Sequence, residues 1–175
     1  MIKEFNGMKP KIGERSWIAE TASIIGEVEL GDDCSIWFGS VIRGDVHYIK
    51  LGDRTNIQDL SMIHVSEYTE EDRSDGFPVE IGNDVTVGHK VMIHGAKISD
   101  ACLIGMNATL LDGCEIGKES IVGAGALVTQ NKKFPPRSLI LGSPAKLIRQ
   151  LTQEEVDTIY YLTNLYIGYK NQYLK

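Results

Sequence analysis

The sequence predicts an all-β solenoid, a parallel β-helix of six-residue repeats, followed by one C-terminal α-helix. Three observations lead to this prediction. An aliphatic residue recurs at every sixth position, a small residue follows it four positions later, and glycine often comes directly after the aliphatic residue. Such a repeat gives every short strand the same two inward-pointing side chains, so successive coils can stack on one continuous core.

The aliphatic position recurs through most of the chain in four segments. Its members are Ile12, Ile18, Ile24, Leu30, Ile36 and Ile42, then Leu51, Ile57 and Ile63, then Ile81, Val87 and Ile93, and finally Ile98, Ile104, Leu110, Ile116, Val122 and Val128. Glycine follows it at Gly13, Gly31, Gly52, Gly82, Gly88, Gly105, Gly117 and Gly123, which is eight of the 18 glycines. The absent side chain relieves backbone crowding where the coil bends.

The small position also holds all three cysteines. Its members are Ser16, Ala22, Val28, Cys34, Ser40, Val46, Thr55, Ser61, Val85, Val91, Cys102, Ala108, Cys114, Ser120 and Ala126. We therefore interpret the cysteines as small buried hydrophobic residues without redox chemistry. Their odd number and the absence of a short CxxC spacing also argue against a disulfide framework and a zinc ribbon.

The repeat loses its phase in three places. Three extra residues lie between Ile42 and Leu51, twelve lie between Ile63 and Ile81, and one residue is missing between Ile93 and Ile98. Insertions in a solenoid emerge as loops and leave the stacked core intact. We thus predict a β-helix domain at residues 1–150, with a loop insertion at 65–80, and a helix at 151–175 that begins with a capping box of Thr152 and Glu155.

Composition and charge exclude several functional classes. The net charge is −6 and no basic stripe is present, which argues against a nucleic-acid partner. The N-terminus lacks the apolar run of a signal peptide, and no stretch is long and apolar enough for a membrane span. These features predict a cytoplasmic protein.

Counting coils places three of the outward polar residues in one column. After the twelve inserted residues are subtracted, His64 and His94 are 18 residues apart, which is one coil of three hexads. Arg43 lies one further coil before His64 once its three inserted residues are removed. We therefore predict that Arg43, His64 and His94 stack on one face. The remaining histidine of this region, His47, lies in the short insertion and is interpreted as an ordinary solvated side chain.

His89 does not belong to this column. It lies one strand earlier and around a corner of the coil, with Asp59 one coil beneath it. Because a neighbouring subunit around a threefold axis could bring His89 to the His64 and His94 face, we predict a homotrimer with three intersubunit sites. Three imidazoles with one open position are typical of catalytic zinc, although imidazole also suits iron and cobalt.

Three segments resemble those of a known family. "VIRGDVHYIKLGDRTNIQDLSMIHV", "GHKVMIHG" and "GSPAK" are similar to the gamma-class carbonic anhydrases, and the similarity covers essentially the whole chain. The resemblance implies a left-handed β-helix, zinc held by His64, His89 and His94, and a lyase that reversibly hydrates carbon dioxide to bicarbonate with a metal-bound hydroxide.

The resemblance also implies roles around the metal. Arg43 and Asp45 match an arginine–aspartate pair whose arginine bridges to the next subunit, and Gln58 and Asp59 match a pair whose glutamine holds the metal-bound water. Glu67 matches one of two glutamates that carry protons. Val46 occupies the position of the other, which predicts slower proton transfer. From the C-terminal helix Tyr161, Asn164 or Tyr166 could approach the site, and the sequence does not choose among them.

The sequence leaves several alternatives open. Arg43, Asp45 and Asp59 could serve only as intersubunit ion pairs, and Glu67 could be an ordinary solvated charge. The same solenoid fold also occurs in CoA-dependent acyltransferases, and "GSPAK" resembles the capping segment of these enzymes. A third possibility is a non-catalytic trimer that a metal stabilises.

Overall fold

A computed structural model describes residues 1–175 as a parallel β-solenoid with one C-terminal helix, which confirms the predicted fold class. The strands are β1 (Ile2–Lys3), β2 (Lys11–Ile12), β3 (Trp17–Ile18), β4 (Ser23–Leu30), β5 (Ser35–Ile36), β6 (Val41–Leu51), β7 (Asn56–Ile57), β8 (Met62–His64), β9 (Val79–Ile81), β10 (Thr86–Val87), β11 (Met92–His94), β12 (Lys97–Ile98), β13 (Leu103–Ile104), β14 (Thr109–Leu110), β15 (Glu115–Ile116), β16 (Ile121–Val122), β17 (Leu127–Val128), β18 (Lys133–Phe134), β19 (Ser138–Gly142) and β20 (Ala145–Gln150). The helix α1 spans Gln153–Tyr173.

The strands form two sheets that wrap around the core. One has 12 strands and turns a corner through the long strands β4 and β6, and the other has 8 strands and ends at β20. Each strand pairs in parallel with a strand one coil away, except the antiparallel pair β19 and β20 at the end. We call the part formed by β8, β11, β14, β17 and the first half of β6 the histidine side, and the 8-stranded sheet the helix side.

The aliphatic repeat positions form the core. On the histidine side Ile42, Ile63 and Ile93 are in register and fully buried. The three cysteines are buried and unpaired at the predicted small positions. Burial raises the pKa of the Cys34 thiol to about 11 and the pKa values of Cys102 and Cys114 to about 12, so all three remain protonated at neutral pH.

The three-residue insertion corrects two sequence interpretations. Val46, which the repeat predicted to point inward, is not at the small position. The pairing of β4 with β6 shifts from Gly26 opposite Gly44 to Val28 opposite Ile49. Ile49 is therefore the buried residue at this position. The extra residues are absorbed as a bulge inside one continuous strand. The bulge turns His47 inward, so this histidine is only 2% exposed and the interpretation of a solvated side chain is wrong.

The long insertion folds back onto the solenoid. We call residues 65–78 the acidic loop. Ser66 and Phe77 pair across its base, and the Asp75 carboxylate accepts hydrogen bonds from the backbone N–H groups of Thr69 and Glu70 at 2.9 Å. These bonds give the loop a defined path.

Helix α1 covers the helix side. Its N-terminus has the predicted capping box, in which Thr152 accepts from the Glu155 N–H and the Glu155 carboxylate accepts from the Thr152 N–H. Lys170 is fully buried and its Nζ donates to Asp33 at 3.0 Å. The end of the helix packs Tyr173 against Trp17, with 4.6 Å between ring centroids. The helix lacks the apolar length required to cross a membrane.

Candidate metal centre

Two histidines face each other on the histidine side. His64 ends β8 and His94 ends β11, and their Cα atoms are register partners in adjacent coils. His64 Nδ1 lies 3.2 Å from His94 Nε2, and the two ring centroids are 5.1 Å apart. We call these two residues the histidine pair.

A carboxylate holds the far side of each ring. His64 Nε2 lies 3.0 Å from Asp45 Oδ1, and His94 Nδ1 lies 2.6 Å from Asp112 Oδ1. An ionised carboxylate only accepts hydrogen bonds, so the ring nitrogen that faces it carries the proton. In neutral rings the unprotonated nitrogens, His64 Nδ1 and His94 Nε2, therefore point towards each other.

This arrangement fits a bound cation. Two lone pairs 3.2 Å apart repel each other unless a proton or a cation lies between them. Two imidazole nitrogens bound at 2.0–2.1 Å to one tetrahedral ion are about 3.3–3.4 Å apart. Carboxylates that hold the second nitrogen of each ring are also the usual partners of metal-binding histidines. The donor set thus provides two ligands already oriented for a metal.

The electrostatics favour a neutral His64 ring beside a charged Asp45. Burial lowers the pKa of His64, against the opposing effect of Asp45. Burial acts to raise the pKa of Asp45, but hydrogen bonds from His64 and Arg43 outweigh it and lower that pKa. Arg43 forms an ion pair with Asp45 within the same chain. A neutral imidazole beside an ionised carboxylate is the protonation state that metal binding requires.

His89 lies on a different part of the surface, at the corner after β10. Its Nδ1 is 2.8 Å from Asp59 Oδ2, so Nε2 is left without a carboxylate partner. The His89 and Asp59 side chains are 43% and 35% exposed, compared with 16% for His64. Gln58, adjacent in sequence, is buried and donates from Nε2 to Asn56 Oδ1 at 3.3 Å. We call His89, Asp59 and Gln58 the corner half-site.

A cavity with aromatic walls opens beside the corner half-site. It has a volume of about 380 Å³ and is lined by Asp59, His89, Trp37 and Tyr166, among others. Of the three helix residues considered above, Tyr166 reaches this cavity, whereas Tyr161 and Asn164 are exposed. Burial, and then the negative charge of Asp59, raise the pKa of Tyr166.

One chain does not assemble a complete site. No group of three His, Cys, Asp or Glu side chains converges well enough to hold a metal ion. Arg43, Asp45, His64 and His94 come together, and His89 and Asp59 come together separately, with Gln58 next to Asp59 in the sequence. Glu67 is exposed and makes no side-chain hydrogen bond or ion pair, although it lies only three residues after His64.

Sequence reasoning missed Asp112, the partner of His94. Counting coils does not point to Asp112: Ile93 is in register with Leu110, so the residue one coil after His94 is Leu111, and Asp112 lies one residue further along the chain. An aspartate in a turn is so common that its position drew no attention. It matters here because it fixes which nitrogen of His94 is free.

Comparison with known proteins identifies the family of the chain. Residues 9–44 and 95–130 match the family model for bacterial transferase hexapeptide (six repeats), and residues 78–110 match the hexapeptide repeat of succinyl-transferase. Protein YrdA of Escherichia coli is 47% identical over 99% of this chain and 94% of its own length. The carbonic anhydrase of Geobacillus kaustophilus is 41% identical over 100% of this chain and 91% of its own length.

A plant relative and a solved structure extend the comparison. Gamma carbonic anhydrase 2 of Arabidopsis thaliana mitochondria is 42% identical over 91% of this chain and 56% of its own length. The crystal structure of a candidate acetyltransferase from Bacillus cereus superposes with a TM-score of 0.92 at 41% identity, covering 99% of this chain and 96% of that chain. By these similarities the chain belongs to the gamma carbonic anhydrase-like family of hexapeptide-repeat proteins.

Proposed function

We propose that this protein is a metal-dependent carbonic anhydrase that hydrates carbon dioxide reversibly and works as a homotrimer. The observation that carries the proposal is the histidine pair, whose two unprotonated nitrogens lie 3.2 Å apart with both rings held by carboxylates. The family relationship supports the choice of reaction. We propose zinc as the metal, with iron or cobalt as the alternatives to be separated by metal analysis.

The third ligand in this proposal is His89 of a neighbouring subunit. Three features support it: no third ligand is near the pair, His89 Nε2 makes no hydrogen bond within the chain, and the His89 side chain is 43% exposed. Large apolar side chains around the same corner are exposed as well, including Leu60 at 60% and Met106 at 53%. Exposed apolar surface of this kind is typical of a subunit interface.

Each polar residue then has a separate task. His64, His94 and the neighbour's His89 would hold the metal, and Asp45, Asp112 and Asp59 orient the three rings. The chemistry that a zinc-type ion held there would supply is a water molecule whose pKa is lowered to about 7 and which could serve as the nucleophile for carbon dioxide at neutral pH.

The remaining residues act on water and protons. Gln58 keeps its nitrogen on Asn56, so its Oε1 remains to accept a hydrogen bond from the reacting water. Trp37 and Tyr166 supply an apolar wall for carbon dioxide. Glu67, with an exposed and unpaired carboxylate, takes up the proton that the hydration step releases.

The test is a carbon dioxide hydration assay on anaerobically purified protein whose metal content and oligomeric state are measured together. We expect a trimer with one metal per chain, and we expect His89→Ala to lose both metal and activity. Unchanged metal content in His89→Ala would contradict the proposal.

A second candidate function is CoA-dependent acyl transfer, favoured by the similarity to the Bacillus cereus structure. Retention on a CoA resin without carbon dioxide hydration would support it. A trimer that binds metal but hydrates no carbon dioxide would instead indicate that the metal serves only to stabilise the assembly.

A further inference from the structure

The acidic loop is fastened to the solenoid by its single basic residue. Arg73 donates from Nη1 and Nη2 to the two carboxylate oxygens of Glu27, at 3.1 and 2.8 Å. Glu27 belongs to β4, 46 residues earlier in the chain. A two-bond contact between guanidinium and carboxylate fixes orientation as well as distance. The loop is therefore held at one defined place on the sheet.

The same arginine fixes Tyr68. Arg73 Nη2 lies 3.3 Å from the Tyr68 hydroxyl, and the guanidinium carbon lies 4.7 Å from the ring centroid. On another side, the buried ring of His47 meets Tyr68 nearly edge-on, with 5.2 Å between centroids. His47 is itself held by the Tyr48 N–H, which donates to its Nδ1 at 2.9 Å. We call Arg73, Glu27 and Tyr68 the loop clamp.

The backbone of Glu67 is enclosed by these contacts. Ser66 on one side pairs with Phe77 through backbone hydrogen bonds of 3.0 and 3.4 Å, and Tyr68 on the other side belongs to the clamp. Gly76 passes so close that a Cβ atom there would lie 2.6 Å from the Glu67 carbonyl oxygen. The main chain of Glu67 is thus fixed, while its side chain is exposed and makes no hydrogen bond or ion pair.

The charges favour a persistent clamp near neutral pH. The hydrogen bond from Arg73 lowers the pKa of Glu27, against the opposing effect of burial, so that this carboxylate stays ionised. The loop itself carries the acidic residues Glu67, Glu70, Glu71, Asp72 and Asp75. Without Arg73 these charges have no cation of their own, and their mutual repulsion favours an open loop.

We infer that Arg73 is a positioning residue for the proposed hydration reaction, because the loop clamp holds Glu67 where its carboxylate accepts the released proton. Carbon dioxide and water give bicarbonate and one proton. Glu67 takes up this proton and then gives it to a buffer base, which regenerates the carboxylate. The inference rests on the proposed function and adds the residues that place the proton acceptor.

The chain offers a matched control for this inference. Arg149 donates from Nη1 and Nη2 to the two carboxylate oxygens of Glu155, at 2.7 and 2.8 Å, near the start of α1. It forms the same type of partly exposed ion pair, yet contacts neither the acidic loop nor a histidine. Arg73→Gln and Arg149→Gln thus remove equivalent interactions from two places.

The experiment measures carbon dioxide hydration at low and at high imidazole concentration in both variants, with metal content as a check. Arg73→Gln should keep its metal. At low buffer concentration its hydration activity should fall on the order of tenfold, which is less than the 10²–10⁴-fold loss expected when an acid–base group is removed outright. High imidazole should restore its rate, because the free base replaces Glu67. Arg149→Gln should match the wild type in both buffers.

A charge swap provides the second variant. Glu27→Arg combined with Arg73→Glu should recover most of the activity at low buffer concentration, because the ion pair is rebuilt with reversed polarity. This double variant can also be used to test the inference if Arg73→Gln does not fold. Equal behaviour of Arg73→Gln and Arg149→Gln, or a deficit that high imidazole does not relieve, would overturn the inference alone. A metal-loaded wild type without hydration activity would overturn the proposed function together with the inference.

Discussion

The histidine pair and the corner half-site use the same residue type in opposite ways. In the pair, both rings are fixed by carboxylates and the two free nitrogens already have the spacing of metal ligands. In the corner half-site, one imidazole has one carboxylate, and its second nitrogen has no hydrogen-bond partner within the chain. In the proposed function, a single chain supplies two of the three histidine ligands, and the third comes from another chain.

The largest expected effect is loss of a ligand from either region. His94→Ala leaves one fixed imidazole, and His89→Ala leaves the pair without its third ligand, so both should lower metal affinity by more than about 100-fold, the upper range for the loss of an outer partner. Metal content after gel filtration, measured by mass spectrometry, checks this. A His89→Ala protein that keeps its metal would show that the pair suffices.

Hexad counting predicted much of this division, because one coil is a fixed number of residues. It placed His64 on His94 and separated His89 from both. It failed where the chain departs from the hexad: the insertion after Ile42 was absorbed within β6, which put Ile49 at the small position and buried His47. Whether an insertion becomes a loop or a bulge depends on three-dimensional packing, which the repeat does not specify.

The second prediction compares the carboxylates of the two regions. Asp112→Asn should weaken metal binding by about 10–100-fold, because the partly buried His94 loses the acceptor that sets its tautomer. Asp59→Asn should have a smaller effect, since His89 and Asp59 are both more exposed and water can replace the carboxylate. Competition titrations with a chelator would measure both affinities. A larger loss of metal affinity in Asp59→Asn than in Asp112→Asn would contradict this ranking of the histidine pair above the corner half-site.

The third prediction concerns His47, the histidine outside both regions. Burial lowers the pKa of His47 in the folded protein. Above the pKa of about 6.5 that histidine has in an unfolded chain, His47 is neutral in both the folded and the unfolded protein. As the pH falls below this value, His47 takes up a proton in the unfolded chain but resists protonation in the folded one. The free energy of unfolding therefore decreases on acidification by up to about 1.4 kcal/mol per pH unit.

His47→Gln removes this contribution. Urea unfolding of metal-free protein at pH 7.5 and 5.5 should therefore show a smaller loss of stability on acidification in the variant than in the wild type. His64 also contributes in the wild type, but it is present in both proteins and cancels in the comparison. An identical pH dependence would mean that His47 is readily protonated in the folded state.

The smallest expected effect is that of Tyr166→Phe, at the wall of the corner cavity. The Tyr166 hydroxyl makes no hydrogen bond within the chain, so its removal should change the free energy of unfolding by less than about 0.5 kcal/mol and leave metal content unaltered. A loss of metal in this variant, measured beside His89→Ala, would show that the tyrosine belongs to the coordination sphere or its support.

The most direct test of the central claim, that the two regions meet across a subunit interface, is complementation between inactive variants. His64→Ala and His89→Ala chains are purified separately, unfolded, mixed in equal amounts and refolded with metal. In a cyclic trimer every mixed assembly contains one junction with an intact histidine pair facing an intact His89, so random mixing should restore about one quarter of the wild-type metal sites and activity. Restoration to that level supports the intersubunit site, whereas a mixture as empty as its two components would contradict it.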